Sequence, residues 1–273
     1  MSVIPEELSF IVTSDPSQGA TNVSADGSYF EIQLQDGLSI PQDALNINVS
    51  VEEATIWWVV PNIITGVNDK IYITGPNTSD VVQLFTVTIP TGLYDLSGLN
   101  QAIARELELL GAKIDPDPLI TLNSDEATQK VEIRFNYATV SIDFSQSNTF
   151  ADILGFDKIT YGPYADAPSS ILAPSVAQFN TVNYFLIHSD LTNKGIRFNN
   201  NYNQTIGRVL IDVAPGSQIT SAPFNPAKVN APELGGALRT MLRFWLTDDK
   251  DRRVNTNSEY WSARIVIHYL QPM

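Results

Sequence analysis

The sequence predicts a mainly β protein, built as a single jelly-roll β-sandwich with a small α+β insertion. Three observations favour this fold class: many short segments alternate apolar and polar residues, long proline-rich connections separate them, and one helical segment interrupts the β pattern. A chain of 273 residues buries about 75% of its unfolded surface, so this fold needs no disulfide or metal to stabilise it. We place the sandwich at residues 29–273 and the insertion at residues 85–157.

Residues 1–28 are predicted to form an N-terminal arm. They combine a short apolar patch, Leu8 to Val12, with turn-forming residues, and they show no sustained hydrophobic period. Two interpretations follow: the arm becomes ordered against another molecule, or it is a frayed terminus.

The β pattern starts at Tyr29. Apolar and polar residues alternate over residues 29–35 and again over residues 46–52, as in strands with one buried face. The intervening sequence LQDGLSIPQD contains Gly37 and Pro41 and is predicted to be a turn-rich link.

An apolar run from Ala54 to Val60 continues this pattern. It stops at Pro61, and because both of its faces are apolar we expect a strand that is covered on both sides at its end. Further strands are predicted at Lys70 to Thr74 and Gln83 to Ile89.

The insertion contains the one long helix that the sequence predicts. Asp95 can cap its start, and Gly111 occupies the position where a left-handed stop is expected. The residues of its apolar face recur at helical spacing: Leu96, Leu99, Ile103, Leu107 and Leu110. The helix is followed by ITL at residues 120–122, a polar turn, and then the strands VEIRF and VSIDF. A second short helix comes next, capped by Ser147 or Asn148 and ended by Gly155.

Two long irregular stretches, residues 157–178 and 214–237, lie among the remaining strands. Loops of this length are usually functional or cover other elements. Strands are expected at residues 181–190 and 206–213. The last 30 or so residues are predicted to form a hairpin, with Trp245 and Trp261 on facing arms and a solvated acidic turn between the arms.

Composition excludes several function classes. The 30 acidic and 16 basic residues give a net charge of −14, which repels phosphate backbones and anionic lipid, so we expect no direct nucleic-acid binding and no membrane contact. Charged residues amount to only 17% of the chain, whereas 21 residues are asparagine, a pattern that favours a surface made to contact protein. There is no cysteine, hence no disulfide and no thiolate chemistry. We expect a soluble chain without an export signal.

Candidate catalytic and metal-binding residues are few. His188 and His268 both fall on predicted strands, where a hydrogen-bonded structural histidine is the more frequent case. Two acidic groups have the oxygen ligands that calcium prefers but match no known calcium-loop spacing: Asp115 with Asp117, and Asp248 with Asp249 and Asp251. We therefore expect no catalytic residue, no cofactor and no metal.

The aromatic residues admit two interpretations. Trp57 and Trp58 are neighbours on a strand, so one should enter the core while the other faces outward. Core packing is the simpler role for all four tryptophans. A carbohydrate- or receptor-binding loop cluster would instead use Trp57, Tyr161, Tyr164 and Trp261.

Three stretches resemble one known family. The first is the opening segment FEIQLQDGLSIPQDALNINVSVEEATIWWVVPNI. The second is the module FTVTIPTGLYDLSGLNQAIARELELLG with its following hairpin and LGF, and the third is the tail LRFWLTDDKDRRVNTNSEYWSARIVIHYL. In layout and spacing they resemble the penton, or vertex, proteins of the adenovirus-like lineage of tailless membrane-containing phages, virophages and Polinton elements. The resemblance covers most of residues 29–270, and it includes no catalytic motif.

The resemblance implies a structural virion protein rather than an enzyme. Such a protein forms a homopentameric ring at the icosahedral fivefold vertices, contacts the major capsid protein and can carry a spike or fibre protein. It is made in the host cell cytoplasm and resides at the capsid vertex. The alternatives are a receptor- or carbohydrate-binding, spike- or lectin-like β-sandwich, and a β-scaffold hydrolase with two converging carboxylates.

Overall fold

The computed structural model describes residues 2–198 and 201–273, which divide into two compact units. The first unit comprises Met1–Val60 and Val182–Met273, and the second comprises Pro61–Thr181. The strands of the first unit are β1 Val3–Thr13, β2 Ala20–Thr21, β3 Tyr29–Ser39, β4 Leu45–Trp57, β12 Tyr184–Ser189, β13 Arg197–Phe198, β14 Asn201–Tyr202, β15 Thr205–Leu210, β16 Gln218–Ser221, β17 Val229–Asn230, β18 Leu238–Thr247 and β19 Ser262–Pro272. Those of the second unit, with its two helices, are β5 Lys70–Pro76, β6 Val82–Thr88, α1 Leu96–Leu109, β7 Ile120–Asp125, β8 Lys130–Phe135, β9 Ser141–Asp143, α2 Ala151–Leu154, β10 Thr160–Tyr161 and β11 Ser169–Leu172.

The first unit is a jelly roll. One sheet has the order β1-β19-β4-β16, and the other has the order β15-β12-β18-β3, extended by β2. Numbered along the chain, these eight principal strands give the orders 1-8-3-6 and 5-4-7-2, the arrangement of two interlocked Greek keys. The predicted mainly β jelly-roll fold is confirmed.

Apolar side chains of both sheets meet in the core between them. On β18 the residues Leu242, Phe244 and Leu246 are buried, as their alternation predicts. Phe30 of β3 stacks on Phe244. It also makes an edge contact with Trp261, which directly precedes β19 of the opposite sheet, at 5.0 Å between ring centroids. The aromatic contacts thus join the two layers.

The predicted hairpin of the last two strands is wrong. β18 pairs with β12 and β3, whereas β19 pairs with β1 and β4, so the two strands belong to opposite sheets. Residues 248–261 cross from one sheet to the other. Adjacent strands in sequence usually pair, and here the jelly-roll topology overrides that tendency.

Three segments of the first unit differ from their prediction. Within residues 1–28, where no strand was predicted, β1 pairs with β19 over eleven residue pairs from Val3↔Pro272 to Thr13↔Ser262. The predicted link after Leu34 is strand as far as Ser39, because Gly37 adopts a positive φ of 68° and a bulge accommodates it opposite β18. The irregular stretch 214–237 contains β16 and β17, which both pair with β4.

The second unit contains the 85–157 segment and surrounds one continuous core. Its sheets have the orders β10-β9-β5-β6 and β11-β8-β7. Helix α1 lies on this core through Leu99, Ala102, Ile103 and Leu107, which are buried. Asp95 caps the helix by accepting a hydrogen bond from the Gly98 amide at 2.6 Å, as predicted.

The short helix α2 ends at Gly155 as predicted, with φ of 81°, but its predicted cap is wrong. Phe150 precedes the helix, and no side chain caps it. Asn148 instead takes a positive φ of 61°, and its carbonyl accepts a hydrogen bond from the Lys70 amide at 2.9 Å. Among the described helices, none combines the length and the apolar character needed to cross a membrane.

Candidate functional site

His188 is a buried structural histidine on β12. Its Nε2 lies 2.7 Å from Thr247 Oγ1 and its Nδ1 lies 3.2 Å from Thr205 Oγ1, so both ring nitrogens have a hydroxyl partner. Burial lowers the pKa of the imidazole to about 4, although the nearby Asp251 carboxylate opposes this shift. The ring is therefore neutral at neutral pH and is enclosed rather than presented to a ligand.

Three side chains, those of Trp245, Arg253 and Tyr29, stack over His188. Its imidazole lies against the indole of Trp245, the Arg253 guanidinium lies 5.2 Å from that indole, and the ring of Tyr29 lies 5.4 Å from the same guanidinium. Arg253 belongs to the connection between β18 and β19, and a bridge to Thr247 holds it there. The stack thus fixes this connection on the outer face of the β12-β18-β3 sheet.

A carboxylate cluster that the sequence did not reveal lies on the same face. The Glu31 carboxylate accepts hydrogen bonds from Tyr29 Oη at 2.5 Å, Asn22 Nδ2 at 2.5 Å and Arg243 Nε at 3.1 Å, and these donors lower its pKa. Asp190, whose pKa is raised by burial, accepts from the Arg243 amide at 3.0 Å. Because protein donors occupy both carboxylates, the cluster fastens β3, β12 and β18 together.

His268 occupies the outer face of the other sheet. Its Nδ1 lies 2.9 Å from Glu7 Oε1, and its Nε2 lies 3.1 Å from Ser50 Oγ and 3.9 Å from Glu52 Oε1. These contacts join β1, β19 and β4 across the sheet. Both histidines are therefore hydrogen-bonded sheet residues, the more frequent of the two roles weighed from the sequence.

The acidic groups considered for calcium have other environments. Asp115 and Asp117 are exposed. Asp248, predicted to be solvated, is buried: it accepts hydrogen bonds from the Lys250 and Arg252 amides and from the Arg252 side chain, and so shapes the turn after β18. Within residues 2–198 and 201–273, no group of three or more His, Cys, Asp or Glu side chains is arranged to hold a metal ion.

Two of the four aromatic residues considered for a sugar platform lie in the cores. Trp261 is 2% exposed and donates from Nε1 to the Gly27 carbonyl, and Tyr161 is 7% exposed. Trp58 is buried against Phe185, whereas Trp57 is only half-buried, so the predicted division of this pair holds. The predicted contact between Trp245 and Trp261 across a hairpin is wrong, because their strands lie in different sheets.

The two open ends of the sandwich present surfaces suited to interaction. At one end, β15 and β16 border a cleft of about 400 Å³ with apolar walls and two arginines, Arg197 and Arg208. At the other end, β1 is the edge strand, and its first five residues are exposed on both faces. Sequence reasoning missed both surfaces because the cleft combines residues as distant as Val51 and Pro226.

Comparison with known proteins finds similar solved structures. No protein-family model and no curated protein matches the sequence. The structure is similar to that of the mavirus penton protein, with a TM-score of 0.49 and 11% identity over 97% of this chain and 99% of that chain. It is also similar to a chain in the structure of the Sputnik virophage, with a TM-score of 0.43 and 13% identity over 97% of this chain and 98% of that chain.

Proposed function

We propose that this chain is a structural virion protein, the penton or vertex protein of an icosahedral capsid. In this role it forms a homopentameric ring at the fivefold vertices and contacts the major capsid protein around it. A spike or fibre protein is a further partner. The chain itself performs no catalysis, and its contribution is the rotation built into the contact between neighbouring copies.

One observation carries this proposal. An eight-stranded jelly roll holds a strand, helix, hairpin and helix segment between its third and fourth principal strands, β4 and β12. This is the layout by which the sequence resembles the vertex proteins. The composition agrees, because a low charge fraction and many amide side chains suit a surface that is largely covered by protein.

The environments of the titratable residues also support a role without catalysis. His188 and His268 are engaged in holding strands together, and Asp248 shapes a turn. Each of these groups already has protein partners, so none is poised to act on a substrate.

The carbohydrate-binding alternative receives less support. A sugar platform needs exposed aromatic faces, and burial removes Trp261 and Tyr161 from the four candidates. A glycan array with saturable binding would revive this alternative.

A cryo-EM map of the native particle tests the proposal. We expect density for five copies of this chain at each corner, in contact with the major capsomers. Density for the chain elsewhere in the shell, or its absence from the purified particle, would contradict the vertex role.

A further inference from the structure

The two ends of the jelly roll are chemically different. β1 and β2 form one end, since β1 is the edge of its sheet and β2 is the edge of the other. β15 and β16 form the opposite end, and Gly207 of β15 lies over Val51 of β4, next to β16. A Cβ on Gly207 would lie 2.8 Å from Val51 Cγ2, so glycine allows the two sheets to approach here.

The β15–β16 end carries the cleft of about 400 Å³. Buried apolar residues, Val51, Ile206 and Val209, contribute to its walls. Arg197 and Arg208 are its charged lining residues, and the described lining contains no carboxylate. In a chain with a net charge of −14, this cleft is therefore a local cationic site with an apolar interior.

A loop beside the cleft carries an unusually exposed aromatic residue. Phe224 is fully exposed, and its neighbours Pro223, Asn225 and Pro226 line the cleft. Two prolines restrict the loop, so ordering it against a partner costs little conformational entropy. Exposed aromatic residues at such positions are typical anchors of protein interfaces.

The β1 end has the complementary character. Val3 and Ile4 are each 41% exposed, although both are aliphatic, and Glu6 and Glu7 beside them are exposed. Alternation places Ile4 and Glu6 on the face that further along the strand carries the buried Val12. The start of β1 therefore extends beyond the core and presents an aliphatic and an acidic side chain on one face.

We propose that the β1 end of one copy binds in the β15–β16 cleft of the next copy, with Ile4 in the apolar interior and Glu6 facing Arg208. Charge complementarity favours the β1 end as the partner of the cleft, because the cleft is cationic and the start of β1 is acidic. Both surfaces belong to the same chain, so each copy can bind the next. The two patches differ, so the contact is heterologous and continues from copy to copy, as a ring or a filament. This inference rests on the proposed function and specifies the self-contact of its ring.

Paired cysteines test the contact directly, because the chain has no cysteine of its own. We compare Glu6→Cys, Arg208→Cys and the double variant as full-length proteins under mild oxidation. A disulfide needs Cα atoms within about 7 Å, which the two ends of one sandwich do not meet, so a bond in the double variant must join two copies. We expect a ladder of linked oligomers from the double variant and monomers from each single variant. Glu126→Cys with Arg208→Cys is the matched control, since Glu126 is exposed on the β7–β8 turn.

Charge exchange gives a second measurement. Glu6→Lys and Arg208→Glu should each weaken self-association in sedimentation velocity at least tenfold, and the double exchange should restore most of the loss. Glu126→Lys, with the same change in net charge as Glu6→Lys, should leave association within twofold. Equal weakening by Glu126→Lys, or no restoration by the double exchange, would overturn the pairing.

The outcomes of these experiments distinguish failure of this contact from failure of the pentameric ring. A disulfide ladder that passes beyond five copies supports the head-to-tail contact and contradicts a closed pentamer. A pentamer seen by native mass spectrometry, without linkage in the double variant, leaves the ring intact and overturns this contact. Dimers from Glu6→Cys alone also overturn it, because they indicate that two β1 ends meet.

Discussion

The indole of Trp245 lies parallel to the imidazole of His188, with 5.3 Å between the ring centroids and 2° between their planes. The two rings occupy neighbouring strands, β18 and β12, at directly opposed positions. Stacking and burial exclude water from the imidazole, and this desolvation explains why its pKa is lowered.

His188 should make the first unit sensitive to mild acid. In the unfolded chain its imidazole takes up a proton near pH 6.5, but in the folded chain only near pH 4. The stability associated with His188 is therefore constant above pH 6.5 and decreases as the pH falls from 6.5 to 4, by about 3 kcal/mol in total. Urea unfolding followed by tryptophan fluorescence reports this unit, because all four tryptophans lie in it.

His188→Gln should reduce the difference in unfolding free energy between pH 7 and pH 4.5 by about 2 to 3 kcal/mol. An NMR titration of the His188 imidazole in the parent protein provides the direct check. An equal loss of stability in both proteins would show that other groups cause the acid sensitivity.

Leu107→Asp should disrupt the second unit. Leu107 lies on the core-facing side of α1 and is fully buried, so an aspartate there leaves a cavity and an unpaired buried charge, at a cost of about 4 kcal/mol or more. Leu109→Asp is the matched control two residues further along the helix, where the side chain is 74% exposed. Hydrogen exchange within residues 61–181 should increase for the first variant only. Unchanged exchange in Leu107→Asp would contradict the packing of α1.

Two truncations should show that residues 2–7 are dispensable for folding, whereas the rest of the N-terminal segment is required. Removing residues 2–7 deletes exposed positions and should leave the first unit folded, with a loss of at most about 2 kcal/mol. Removing residues 2–28 also deletes the buried Val12 and the Ser14 hydroxyl that accepts from the Trp261 amide at 2.9 Å, and it opens the edges of β19 and β3. We expect the longer truncation to aggregate or unfold, as measured by light scattering and near-UV circular dichroism. A stable, monomeric product of that truncation would show that the segment is dispensable for folding.

Trp261→Ala should destabilise the first unit by about 3 to 5 kcal/mol, because it removes the contact with Phe30 and the bond to the Gly27 carbonyl. Trp57→Ala is a useful contrast, since this neighbour of the core is only half-buried and should cost clearly less. Chemical denaturation of both variants measures the difference. A larger loss of unfolding free energy in Trp57→Ala than in Trp261→Ala would contradict the core position of Trp261.

Phe224→Ser should leave the unfolding free energy within about 0.5 kcal/mol of the parent value, because the ring has no packing to lose. Self-association at high protein concentration should nevertheless weaken. Sedimentation equilibrium measures this, and full association of the variant would exclude Phe224 from the interface between copies.

The elements that sequence reasoning predicted well are those with a strong local period. Strand β18 alternates cleanly, and α1 has helical spacing together with the Asp95 cap. In both, the burial pattern follows from a few consecutive residues, so no knowledge of the partner strand is needed.

The elements that it missed depend on distant partners. In β1 the exposed Ile11 interrupts the alternation of Leu8, Phe10 and Val12, and only pairing with β19 makes the segment a strand. Likewise, nothing local indicates that β19 crosses to the opposite sheet from β18. The cleft was beyond reach for the same reason, since Val51 and Ile206 meet only when the sheets pack.

The pairing of β1 with β19 sets an order of events during synthesis. β1 pairs with β19, and the Ser2 carbonyl accepts a hydrogen bond from the Met273 amide at 3.0 Å, so the first strand of the jelly roll cannot pair until β19 has been synthesised. The segment 61–181 is continuous in the chain and can fold while that strand still lacks its neighbour. Slow translation of the β19 codons would therefore prolong the time during which nascent chains can associate with one another through unpaired strand edges.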